Sequence, residues 1–269
     1  MLVGQKILFS KIDKLLDSYP RFSVIVGPKN SGKRTIAKYI CSKLGLQIIP
    51  FGLGIDEVRT TIALSYEQTK PICYLCADAD GMSLGAKNSL LKITEEPPNN
   101  AYFIITLQSM SNTLETIQSR GTVLTLDPYS EQELIEYRAS KNYNSKYDNI
   151  IKEICSSTGE VDELFTFDVD KFYKYAETVA FQIQVPTSGN IFKIPKQLKT
   201  STTGDGFDPV LFFKTVRNLY VKKAVETKDK RYLLASNVTT DCLQDLALPT
   251  VNKLSTIDNW IFDVRKVLR

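Results

Sequence analysis

The chain has 269 residues, a formal net charge of +4, 24% charged and 43% hydrophobic side chains. That is apolar content for two or three separate cores, and the excess of positive charge is too small to indicate a nucleic-acid surface by itself. It contains no histidine, which excludes Ser-His-Asp catalysis, Cys-His nucleophiles and histidine-rich zinc sites, and no stretch approaches the roughly 18 apolar residues of a membrane span.

Leu8, Ile12, Leu15 and Leu16 fall on one face at helical spacing, and Pro20 ends that helix. An apolar strand, Phe22 to Val26, runs straight into Gly27-Pro-Lys-Asn-Ser-Gly-Lys33, and Ile36, Ala37, Ile40 and Leu44 then line one stripe of a helix. Strand, glycine loop and helix in this order are the setting of a phosphate-binding loop. The unpaired amides and dipole of the helix start favour phosphate, and Lys33 adds a positive charge. Gly27, Asn30, Ser31, Gly32, Lys33, Arg34 and Thr35 are therefore the candidate nucleotide-binding residues. The residue after the lysine is usually Ser or Thr, whose hydroxyl ligates Mg²⁺. Here it is Arg34, and Thr35 comes one residue late, turned about 100° round the helix.

Further strands are expected at Gln47–Phe51, Ile72–Cys76, Tyr102–Thr106 and Thr122–Leu126, with helical patterns between them. This alternation predicts an α/β fold with a mostly parallel sheet covered by helices on both faces. The five cysteines are scattered, and with no leader-like opening they lead us to expect a reduced, cytoplasmic setting. Cys73 and Cys76 lie three apart in one strand and so point to opposite faces, as core residues. No second pair completes a four-thiolate zinc site, so neither zinc nor any other protein-held metal is expected. The helix from about Gly85 to Glu96 stops against Pro97-Pro98, and Asp127-Pro128 closes a first domain at residues 1–128.

From Ser130 the pattern is helical. Glu131–Arg138 and Tyr147–Ser156, with a short third element after Gly159, form a small lid at 129–168, and residues 169–269 show no strand alternation. Ser188-Gly189 and Thr200–Gly206 read as loops, the latter leading into a helix start at Asp208-Pro209. The last helix is expected to be capped by Ser255 or Thr256, with Ile257, Ile261, Val264 and Leu268 as its stripe.

Residues 86–98, Ala-Lys-Asn-Ser-Leu-Leu-Lys-Ile-Thr-Glu-Glu-Pro-Pro, are followed by Thr116-Ile-Gln-Ser-Arg120. With the glycine-lysine loop, these blocks resemble the sliding-clamp-loader branch of the AAA+ ATPases, whose motifs read NALLKTLEEPP and PTIxSRC. Gly121 stands in the cysteine position and Glu115 in the proline position. Val3-Gly4-Gln5 is similar to the family's VGQ opening. The likeness covers residues 4–128, with the block Asn88–Pro98 its most specific part, and is general beyond Ser130. It implies an AAA+ RecA-like nucleotide-binding domain, a helical lid and a C-terminal oligomerisation collar. The four-cysteine zinc insertion of many bacterial relatives is absent.

The resemblance also assigns roles. It implies that Arg120 is an arginine finger, reaching from one subunit into the ATP site of the next, where an always-charged guanidinium can fork onto phosphate oxygens. Read without it, Arg120 is a helix-end arginine pairing with carboxylates. Ala77-Asp78-Ala79-Asp80-Gly81-Met82 resembles DEADxM. In that register Ala77 takes the place of the magnesium-anchoring aspartate, and Asp78 that of the water-activating glutamate, one methylene short. A slip of one residue brings Asp78 to the ion instead. The first sensor is expected between Thr106 and Gln108. Where the lid usually supplies an arginine after a glycine, Gly159-Glu-Val-Asp-Glu-Leu164 is acidic and would repel phosphates. Arg59, in a DxVR-like element, is a candidate for clamp or DNA surfaces, with a surface ion pair as the other reading.

Losing both oxygens that grip octahedral Mg²⁺ weakens the metal and hence hydrolysis. The resemblance thus implies a delta-prime-type stator in the clamp loader of the DNA polymerase III holoenzyme. Such a subunit is a poor ATPase alone; it holds ATP without efficient hydrolysis or keeps an empty loop for folding. Its implied partners are gamma/tau and delta subunits, with the sliding clamp and primer-template DNA reached through the complex and no membrane. Two alternatives stay open: an active gamma/tau-type or helicase-loader-like P-loop ATPase, and a structural adaptor whose Arg120 touches nothing reactive.

Overall fold

A computed structural model describes residues 3–112, 115–183, 194, 198, 206–248 and 251–269. The chain forms two compact units. The first comprises residues up to Tyr129 together with Ser157–Gly159, and the second Ser130–Ser156 and Glu160–Arg269. The expected collar segment falls in the second unit, as does the expected lid segment apart from Tyr129 and Ser157–Gly159.

The first unit is a five-stranded, wholly parallel sheet in the order β2-β3-β4-β1-β5. Its strands are β1 (Phe22–Val26), β2 (Gln47–Pro50), β3 (Ile72–Cys76), β4 (Ala101–Leu107) and β5 (Thr122–Thr125). Helices α1 (Lys6–Leu15), α2 (Lys33–Lys43), α3 (Ile55–Tyr66), α4 (Leu84–Glu95) and α5 (Glu115–Arg120) precede and connect them. β1 and β3 are entirely buried, as expected of apolar strands with both faces covered.

Alternation along the strands builds two cores. Val24, Val26, Tyr74, Cys76, Phe103 and Ile105 face Val58 and Ile62 of α3, Leu90 and Ile93 of α4 and Ile117 of α5. Ile25, Cys73, Leu75 and Ile104 face Leu8 and Ile12 of α1 and Ile36, Ala37 and Ile40 of α2. Cys73 and Cys76 thus fall in opposite cores as free buried thiols. Connections leave β1 through α2 toward β2, and cross it from β4 through α5 to β5. The C-terminal end of β1 therefore sits where the winding reverses, the crevice in which open α/β sheets carry ligands.

In the second unit, Ser130 and Glu133 form a reciprocal capping box on α6 (Glu131–Ser140). α7 (Asp148–Ile154), α8 (Thr158–Leu164) and α9 (Val169–Gln182) follow, then the long α10 (Pro209–Thr227), α11 (Lys230–Ala247) and α12 (Lys253–Leu268). Asp208 caps α10 by accepting from Leu211 N at 2.9 Å, with Pro209 in the first turn as expected. The last helix starts earlier than expected. Asn252, not Ser255 or Thr256, is its cap and accepts from the amides of Leu254 and Ser255. Its stripe meets α10 and α11 through Trp260, whose ring lies 4.8 Å edge-on to Phe213 and whose Nε1 donates to Thr239 Oγ1 at 3.0 Å. The loop expectations at Ser188-Gly189 and Thr200–Gly206 lie outside the described residues, apart from Gly206 itself. No helix among the described residues is long and apolar enough to cross a membrane.

Candidate functional site

β1 delivers the glycine-lysine loop to the reversal point, where Gly27 N donates to Leu107 O at 3.1 Å. Gly32 adopts φ 93°, a left-handed geometry that favours glycine, and opens α2. Lys33 turns back into the loop: its ammonium donates to Gly27 O at 2.8 Å and to Pro28 O at 2.7 Å. Burial pushes its pKa down, and the charges of Asp78 and Asp80 push it up. Two further loop carbonyls are taken as well, Asn30 O by Gly159 N at 3.1 Å and Ser31 O by the Tyr129 hydroxyl at 3.1 Å. Ser31 Oγ packs against Gly27, where a Cβ would lie 2.9 Å from it, and it is buried without a hydrogen-bond partner.

Beside the loop, Arg34 reaches across to Asp78, guanidinium to Oδ2 at 2.9 Å, with both side chains more than half exposed. Asp78 takes a left-handed conformation just beyond β3, φ 55°, and its amide donates to the buried Thr106 Oγ1 at 2.9 Å. Within the expected sensor region, Thr106 is thus the residue bonded to Asp78 itself. Both oxygens of Asp80 accept from Gln108 N, at 2.9 and 3.0 Å. Thr35 is exposed, one step further round α2. These residues do not fit an octahedral magnesium ion: the cation next to Asp78 is a guanidinium, Ala77 offers no oxygen from its side chain, and Asp80 is engaged. Among the described residues no cluster of three or more Cys, Asp or Glu could hold a metal.

The acidic stretch after Gly159 is occupied. Glu160 accepts from Ser156 N and Oγ and from Lys214 Nζ at 2.6 Å, and Asp162 accepts from the Tyr137 and Tyr143 hydroxyls.

Arg120 closes the one-and-a-half-turn α5, which is anchored by buried Ile117 and by Gln118 Nε2 donating to Met110 O at 2.9 Å. Its guanidinium contacts Glu95 Oε1 at 3.1 Å and, at 3.5 Å, Thr116 O. The side chain is 41% exposed and that of Glu95 53%, so the arginine is presented, not buried. The Glu95 contact joins the two motifs read separately in the sequence. In α4, Ser83 caps the start by accepting from Ala86 N, while Ala86, Leu90 and Ile93 fill the core. The leucine-rich block is thus largely packing that places Glu95 beside Arg120.

Register separates the two sites. Ser23 pairs with Thr122 and Val26 with Thr125 in parallel strands. Arg120 therefore precedes β5 at the N-terminal edge of the sheet, while the loop leaves β1 at the C-terminal edge, with the paired stretch of three residue steps, about 10 Å at roughly 3.3 Å per residue, lying between them. Neither Tyr129 nor Gly159 was legible as a partner of the loop, because no local pattern marks a contact made so far along the chain. Glu95 was visible inside its motif, but its role was not.

Comparison with known proteins bears on both sites. Residues 54–130 match the family described as DNA polymerase III, delta subunit. That segment holds Asp78, Glu95 and Arg120, and the loop lies before it. The chain is 32% identical over 93 residues to the DNA polymerase III subunit delta' of Haemophilus influenzae, covering 34% of this chain and 28% of that protein. It is 31% identical over 96 residues to the same subunit of Buchnera aphidicola, covering 35% and 29%. The alignments thus span under a third of these relatives' length. A DNA polymerase III gamma-subunit-related protein from Thermotoga maritima shares the fold over 97% of this chain and 99% of its own, with a TM-score of 0.54 and 15% identity. The chain is thus similar over part of its first unit to DNA polymerase III delta-type subunits, and shares its fold with the gamma-subunit-related protein.

Proposed function

We propose that the chain is a stator subunit of a DNA polymerase clamp loader, of delta-prime type, which donates Arg120 to the ATP site of a neighbouring subunit. One observation carries the reading: Arg120 stands partly exposed at the sheet edge opposite its own phosphate loop. A finger there is of use to another molecule's nucleotide. Its hold on Glu95 is an exposed ion pair of the kind that contributes at most about 1 kcal/mol, so release toward a phosphate costs little. At the chain's own loop, Arg34 fills the neighbourhood of Asp78 and the metal-binding oxygens are missing, so the subunit serves a neighbour's hydrolysis and is a poor ATPase itself. The partners are gamma/tau-type and delta-type subunits, and through them the sliding clamp and primed DNA.

The test is reconstitution with gamma/tau and delta subunits. The chain should co-purify with them, and Arg120→Ala should lower the assembly's ATPase several-fold while the complex still forms. Failure to associate with or without nucleotide, or magnesium-dependent ATP turnover by the isolated chain, would overturn the proposal.

A further inference from the structure

Lys33 and Arg34 occupy the first turn of α2 with no acidic residue there and no side-chain cap at Gly32. A helix start carries partial positive charge, so two cations placed on it are repelled by it and by each other; burial chiefly presses the pKa of Lys33 down, Asp78 and Asp80 oppose this, and Arg34 adds a smaller downward push. Lys33 is buried, and its two hydrogen bonds go to neutral carbonyls. Ser31 Oγ, buried in the same loop, has no partner. An incoming anion relieves each of these tensions, whereas an incoming divalent cation adds to the crowding of positive charge at Lys33 and Arg34. The nearby carboxylates do not alter this, because Asp78 is turned to Arg34 and Asp80 to Gln108 N.

We infer that the loop takes the phosphates of a nucleoside diphosphate or triphosphate without a divalent cation, Arg34 supplying from the protein the positive charge a metal would bring. A guanidinium suits this, being permanently charged and able to fork onto two phosphate oxygens. Its pair with Asp78 is solvent-exposed on both sides, a weakly held arrangement that a phosphate can displace. The inference rests only on that part of the proposed function which denies the loop metal-assisted turnover; the role of Arg120 is independent of it.

Calorimetric titration of the full chain with ADP, in magnesium and separately in EDTA, tests this. ADP should bind with the same Kd, within about twofold, in both. Arg34→Thr should weaken binding in EDTA by about tenfold or more, the loss of one charge-assisted hydrogen bond, and Lys33→Ala by at least as much. Circular dichroism melts of both variants check that they fold. Pyrophosphate and inorganic phosphate, titrated separately, show whether the diphosphate alone is read; ADP binding without pyrophosphate binding assigns the remainder to the nucleoside, and either pattern supports the inference. ADP binding that requires magnesium, no ADP binding in either buffer, or a folded Arg34→Thr variant equal to wild type in EDTA would overturn it. Any of these with an intact Arg120 effect in the assembly leaves the stator role standing, whereas magnesium-driven turnover by the isolated chain removes both.

Discussion

Gly159 donates its backbone N–H to Asn30 O at 3.1 Å, and a Cβ added at Gly159 would lie 2.7 Å from that same oxygen. Asn30 holds φ 61°, so the loop has little room to retreat. Gly159→Ala should therefore cost about 1–3 kcal/mol, the usual range for overpacking a tight contact. Thermal melts give the loss, and hydrogen exchange should show faster exchange at the Gly159 amide.

Arg120 offers the opposite case. Its partners are exposed or weak, so Arg120→Ala should change the stability of the isolated chain by less than about 0.5 kcal/mol. Arg120→Lys should restore little of the assembly's ATPase, because an ammonium lacks the planar fork. Denaturant titration of the chain and steady-state ATPase of the complex separate the two effects.

Lys214 and Glu160 form a mostly buried pair, 19% and 13% exposed, at 2.6 Å. Removing one partner strands a charge. Lys214→Met alone should destabilise by about 3 kcal/mol, and the double change with Glu160→Gln should recover much of that loss. A double-mutant cycle read by urea unfolding decides it.

Burial raises the thiols of Cys76 and Cys242 from 9.0 to about 12, and that of Cys155 also rises. Below pH 9 both folded and unfolded chains keep these protons, and stability is unaffected by them. Between about pH 9 and 12 the unfolded chain loses protons that the folded chain retains, so stability falls as pH rises, by about 1.4 kcal/mol per unit for each such thiol. Unfolding midpoints measured from pH 8 upward should show that decline, and replacing Cys242 by Ala should make it shallower.

Much of the first unit could be read from local pattern. β1 and β3 begin and end where expected because the largely apolar runs Phe22–Val26 and Ile72–Cys76 follow Arg21 and Pro71. The cap of α12 was misplaced because Asn252, Ser255 and Thr256 can all cap, and only packing of the stripe from Thr256 onward selects the first. Spacing also marked Arg34 and Ala77 as departures from the motifs they resemble. That Arg34 and Asp78 compensate one another was hidden, since the pair closes over 44 residues of sequence. The same holds for Tyr129 and Gly159 on the loop: hydrogen bonds to backbone carbonyls leave no signature in the residues that accept them.

The parallel register that sets Arg120 and the loop on opposite rims of one sheet also uncouples their histories. A substitution that spoils ion binding at one rim disturbs no contact of the guanidinium at the other, so drift can erode the first while selection holds the second. On the stator reading proposed above, Arg34 and Ala77 beside Ser119-Arg120 are the pattern such independence would leave behind.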